Sequence, residues 1–130
     1  MRRTGQVLAA LGAVVAFASA FMHGFMARRA VLGRLAGDVA PETIAGLNAA
    51  WMLGTASLVA FGALVLLCVP SLGREPSSNR VTLAAGAFFL GYGAWAYVYR
   101  HFHPHFIGIM VVGVLFIAGS AIASRARARN

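Results

Sequence analysis

Four stretches of this chain carry no charged side chain: Thr4–Ala27, Thr43–Gly73, Val81–Tyr99 and Phe106–Ser124. A helix of about 20 apolar residues crosses a bilayer core of about 30 Å. In hydrocarbon every backbone N–H and C=O must find its partner inside the protein, which for single apolar runs means helices. Composition points the same way: 60% of the residues are hydrophobic and only 11% are charged, against about 25% charged in a soluble domain. Too few charges remain to build a water-soluble surface. The expected fold is therefore all-α, a single integral membrane domain made of a four-helix transmembrane bundle. Its spans are expected near residues 4–27, 43–69, 81–100 and 106–124, as two helical hairpins.

The junctions support this division. Asp38-Val39-Ala40-Pro41-Glu42-Thr43 places proline and an acid group at the start of the second span, where both favour a helix N-terminus. Pro70 should end that helix near Val69. The segment from Pro70 to Asn79 is dense in turn formers, with Ser78 or Asn79 expected to cap the third helix. Pro104 interrupts Arg100–His105 and keeps His103 extended, giving a tight last connection. Arg2-Arg3, the following apolar run and Ala18-Ser19-Ala20 have the form of a signal peptide. The run continues to Ala27, so an uncleaved first helix is expected.

All eleven basic residues are arginines, set against Asp38, Glu42 and Glu75, for a net charge of +8. In a soluble protein that balance would suggest nucleic acid. Between apolar runs, arginines orient helices and meet anionic lipid instead, so no nucleic-acid partner is expected. Arg2, Arg3, Arg74, Arg80, Arg125, Arg127 and Arg129 would share one side, and Arg28, Arg29, Arg34 and Arg100 the other. Seven against four places both termini in the cytoplasm of a bacterial inner membrane, with Arg125, Arg127 and Arg129 near anionic headgroups. The single cysteine, Cys68, allows no intrachain disulfide.

Small residues let helix backbones approach closely in lipid. Gly5, Ala9, Gly12, Ala16, Ser19 and His23 recur at alternating four- and three-residue steps, a packing face of the first span. On the third span Ala84, Ala87, Gly91, Ala94, Val98 and His101 form a similar seam. Beside it runs an aromatic ridge of Phe88, Tyr92, Trp95, Tyr99 and Phe102. That ridge reads either as lipid-facing or packing surface, or as the wall of a site for a flat ligand such as a quinone, haem or chlorophyll. Asn48, Thr55 and Gly62 share a face of the second span, with Asn48 expected to hydrogen-bond a neighbouring helix.

The chemical lead is histidine. His23, His101, His103 and His105 are expected at one membrane face, and imidazole is a common ligand for transition metals and haem. They read as metal or haem ligands, or as interfacial residues bonded to water and headgroups. No acidic residue lies within any span, as a proton-coupled transporter would need. There is no C-x-x-C, G-x-S-x-G, P-loop or pair of carboxylates, so an enzyme is not expected.

The run from His23-Gly24-Phe25 through Arg28-Arg29 to Leu35, followed by Trp51 at the second span and His103-Pro104 before the fourth, resembles a family of small four-span bacterial inner-membrane proteins. The resemblance covers most of the chain and implies the same architecture without a known activity. Met52 stands where that pattern has a second histidine after the tryptophan, which weakens any metal or haem reading drawn from it. The function expected is a non-enzymatic one: an accessory subunit of a larger membrane complex, or a homo-oligomer packing through Gly5, Gly12, Ser19, Asn48 and Gly91. A metal- or haem-binding protein using the histidines is the alternative, and a small transporter or channel a weaker one.

Overall fold

Proline begins two of the long helices, at positions where its missing N–H is no loss. In the computed structural model, which describes residues 1–35, 37–102 and 104–127 (for His105 and Arg127 the backbone alone), the order is as follows. Helix α1 spans Arg2–Phe21 and passes through a π-helical segment, Met22–Ala27, into α2, Arg28–Leu35. Helix α3 spans Pro41–Cys68 and ends in a 3₁₀ turn, Val69–Ser71; α4 spans Pro76–Tyr99 and α5 His105–Arg127. Among the described residues there is no strand. Four helical stretches, Arg2–Leu35, Pro41–Ser71, Pro76–Tyr99 and Phe106–Ala126, are long and apolar enough to cross a membrane.

Two boundaries differ from the sequence reading. The first helix does not stop before Arg28 but runs on to Leu35. Helix α4 starts at Pro76 rather than near Val81, so Ser78 and Asn79 lie inside its first turn and cap nothing. Their side chains are drawn instead into the preceding turn. The Ser71 and Ser78 hydroxyls pair at 2.6 Å, and Asn79 Oδ1 accepts the Gly73 N–H at 3.0 Å. Gly73 sits at φ +81°, a left-handed conformation that suits glycine. The Ser120 hydroxyl donates to the Asn79 carbonyl, and the Gln6 amide donates to the Val69 carbonyl, both at 3.0 Å. This end of the bundle is thus stitched across α1, α3, α4 and α5, over a fully buried Leu72.

Helix α5 occupies the middle. It packs extensively on α1 and on α4; α3 lies against α1, and α3 touches α4 only sparsely. The order across the bundle is α3, α1, α5, α4, with a seam between its outer members. The core is Val112 and Phe116 of α5, Ala9, Ala13 and Ala16 of α1, Leu58 and Val65 of α3, and Phe89 of α4. The small-residue face expected on α1 is the buried one: Gly5, Ala9, Gly12 and Ala16 all lie inside, and Ser19 is half-buried. A Cβ at Gly5 would lie 2.5 Å from the Gly119 carbonyl oxygen, and one at Gly12 would lie 2.7 Å from the Phe116 ring.

The small seam read on α4 lies on the exterior, not between helices of this chain. Ala84, Ala87, Gly91, Ala94 and Val98 are exposed; the buried face is Ser78, Thr82, Ala85, Gly86, Phe89, Gly93 and Ala96. Both faces carry small residues, so periodicity alone did not separate them. Gly86 and Gly93 decide it, because they admit the α5 backbone at Gly113 and the Met110 side chain while Phe89 reaches Phe116. A Cβ at Gly91 would meet nothing within 4 Å, so Gly91 packs against no other helix of this chain.

Thr82 is fully buried and its hydroxyl has no hydrogen-bond partner among the described residues. Replacing both hydroxyl and its unmet demand with a methyl removes a desolvation cost. Thr82→Val is expected to leave stability unchanged or raise it by up to about 1 kcal/mol, read by denaturant titration of the purified protein. A loss of that size would show that the hydroxyl has a partner.

Candidate functional site

The π-helical segment Met22–Ala27 adds a residue to the turn and changes the direction in which α1 presents His23. The wide turn leaves the His23 carbonyl accepting two donors, the Arg28 backbone N–H and the Trp51 indole N–H, the latter at 2.8 Å. The His23 imidazole stacks on the Trp51 ring, with centroids 4.8 Å apart and planes 21° from parallel. Gly24 makes this approach possible, since a Cβ there would lie 2.7 Å from Thr55 Cγ2. Arg28 folds back over the segment: its Nε–H donates to the Gly24 carbonyl at 2.9 Å and Nη1 donates to Asn48 Oδ1 at 2.7 Å. Asn48 therefore makes the interhelical bond expected of it, and its partner is an arginine.

Beneath His23 the helices part. A cleft of about 590 Å³ lies among α1, α3, α4 and the start of α5, where α3 and α4 fail to meet. Small residues leave the space: Ala18 and Ser19 on α1, Ala50, Gly54 and Ser57 on α3, Gly108 on α5. Phe61 closes the seam further along, stacked on Phe88 at 5.2 Å and edge-on to Phe89 at 5.6 Å. The walls are mostly aliphatic and aromatic, with Ser19, His23, Ser57 and Tyr92 as the polar side chains. Gly54 lies beside the imidazole, and a Cβ there would sit 3.5 Å from His23 Nε2, in ordinary contact. A mostly apolar cleft of this size with a few polar groups is the usual form of a small-molecule site.

The aromatic ridge forms a ladder. Phe88 and Tyr92 are 6.2 Å apart and 7° from parallel, Tyr92 and Trp95 are 6.0 Å apart, and Trp95 and Tyr99 stack at 5.2 Å. The ladder splits in use. Phe88 and Tyr92 form one wall of the cleft, whereas Trp95 and Tyr99 lie beyond it on the exterior, 60% and 68% exposed. Phe102 is also exposed and packs edge-on to Tyr97 instead of extending the ladder.

Of the four histidines, His23 is half-buried and lines the cleft, and His101 is exposed just past α4. His103 lies outside the described residues, as does the His105 side chain. Among the described residues no three His, Cys, Asp or Glu side chains gather where they could hold a metal ion. Arg125 is exposed at the opposite end of the bundle. The Arg127 side chain and Arg129 lie outside the described residues.

Sequence reasoning singled out His23, Ser19 and the aromatic ridge without joining them. It passed over Ala50, Gly54 and Ser57, whose four- and three-residue steps mark a small face of α3. Arg28 was read as an orientation charge, although it hydrogen-bonds back to Gly24 and across to Asn48. Comparison with known proteins finds no match for the chain among family models, curated proteins or solved structures.

Proposed function

We propose that this chain is a multi-pass protein of a bacterial inner membrane, with both termini cytoplasmic, that carries out no catalysis and works by lateral assembly. It is a subunit of a larger membrane complex or a homo-oligomer, and its C-terminal arginines lie among anionic headgroups. The observation that carries the reading is the position of the second small-residue stripe of α4. Ala84, Ala87, Gly91 and Ala94 lie on the exterior, beside the exposed end of the aromatic ladder. Lipid tails are as apolar as leucine, so helices associate in a bilayer through close packing, and small residues are what permit it. Among the described residues no helix packs on Gly91, and Ala84, Ala87 and Ala94 beside it are exposed. Seven arginines at the termini and the 74–80 connection, against four at the other end, support the orientation.

The test separates assembly from folding. Gly91→Leu adds its side chain into open space, so the monomer fold should persist while the assembled species in native mass spectrometry falls at least about tenfold. Leu64→Ala, on the exposed face of α3, should leave assembly unchanged. Gly12→Leu, which sequence periodicity also nominates, instead strikes Phe116 and tests the fold. A wild-type monomer in lipid nanodiscs, with no subunit co-purifying from its own membrane, would overturn the proposal.

A further inference from the structure

Nothing in lateral assembly uses the cleft beneath His23. We infer that it is a binding site for a lipid-soluble molecule with a flat, oxygen-bearing ring head, of the quinone or phenol class, entering from the bilayer between α3 and α4. Three observations converge. The near-parallel rings of Phe88 and Tyr92 give the cleft an aromatic wall, against which another ring can pack offset or edge-to-face. At the α1 side lie an imidazole and a hydroxyl, His23 and Ser19, groups suited to a carbonyl or hydroxyl oxygen, and Ser57 adds an acceptor from α3, its own proton being donated to the Leu53 carbonyl at 2.9 Å. The cleft is open between α3 and α4, where Leu53, Phe88 and Tyr92 of its lining are exposed, so an apolar tail can trail into lipid while the ring sits inside. An unadorned acyl chain would use only the apolar walls. A fully polar ligand would find too few partners.

His23 is the centre of the recognition because the structure fixes it twice. Its ring lies on Trp51, and its carbonyl is held by the Trp51 indole N–H. An imidazole already oriented loses little freedom when it bonds a ligand, which is the general source of affinity in a preorganised site. The entry route rests on the membrane reading of the four helices; the ring-head recognition is a separate claim with its own readout.

The two tryptophans supply that readout. Trp51 stacks on His23 beside the cleft, and Trp95 stands on the exterior. With the protein in nanodiscs, a short-tailed quinone, decylubiquinone, is titrated into Trp95→Phe and into Trp51→Phe. Trp51 fluorescence should be quenched saturably, and Trp95, 6.0 Å from the Tyr92 ring of the wall, should show the same saturation midpoint above a non-saturating contribution from dissolved probe. Gly54→Leu and Ser57→Leu, which fill the cleft from α3, should each abolish the saturable part. His23→Leu should weaken it at least about tenfold, and His23→Gln, which keeps a hydrogen-bonding group, should hold within about threefold. Non-saturating quenching of Trp51 would overturn the site. Saturable binding indifferent to His23→Leu, or full displacement by equimolar n-decanol, would overturn the ring-head recognition and leave an acyl-chain groove.

Discussion

Gly113→Leu is expected to separate α4 from α5 and destabilise the bundle more than any substitution at an exposed position. A Cβ at Gly113 would lie 2.5 Å from the Leu90 backbone nitrogen, 2.8 Å from the Gly86 carbonyl oxygen and 2.9 Å from the Leu90 Cα. All three neighbours are backbone, so no side chain can turn aside, and the helices themselves must move. Overpacking a core costs about 1–3 kcal/mol when side chains can yield. Here the cost should exceed about 3 kcal/mol, because moving α4 away from α5 also loosens Phe89 from Phe116. Denaturant titration of the purified protein reads this directly. Gly91→Leu, on the outer face of the same helix pair, is the matched control and should change monomer stability by less than about 0.5 kcal/mol. Equal stabilities for the two variants would mean that α4 and α5 do not cross at Gly113.

The second large effect is expected at the π-helical turn. Arg28 bonds its own helix at the Gly24 carbonyl and the next helix at Asn48. Hydrogen bonds to charged groups contribute about 1.5–3 kcal/mol, and half-burial of Arg28 places the expected loss for Arg28→Ala near about 2 kcal/mol. Asn48→Ala should cost less, because the Gly24 bond survives. In the double variant the two losses should fall short of additive by about 0.5–1.5 kcal/mol. Arg28→Lys should fail to rescue, since a single ammonium lacks the planar fork that serves two acceptors at once. Amide exchange of residues 22–27 is the local readout. Protection there unchanged in Arg28→Ala would show that the π-helical turn stands without the arginine.

These two sites also show where sequence reading reaches its limit. The packing face of α1 was legible because Gly5, Ala9, Gly12 and Ala16 form the helix's small stripe and its buried one. On α4 two small stripes compete, and their choice depends on Gly113 of α5, far along the chain. The cleft is harder still to foresee. Its small residues lie on three helices, and each reads alone as ordinary packing. The π-helical turn has no local signature either: Met22–Ala27 carries no proline, and its wide turn coincides with Gly24 meeting Thr55 and with the Trp51 indole bond.

The sequence by itself determined that the chain forms four long apolar helices, roughly where they begin and end, and that the first presents its glycines to neighbours. Those properties follow from charge placement, proline position and periodicity, all of which act along the chain. Tertiary structure alone decided which face of α4 is inside, that α5 lies at the centre, and that α3 and α4 part to leave a cleft under His23. The physical reason is that close packing is a relation between two surfaces. A glycine permits an approach, but only the partner backbone that takes the space makes it a contact.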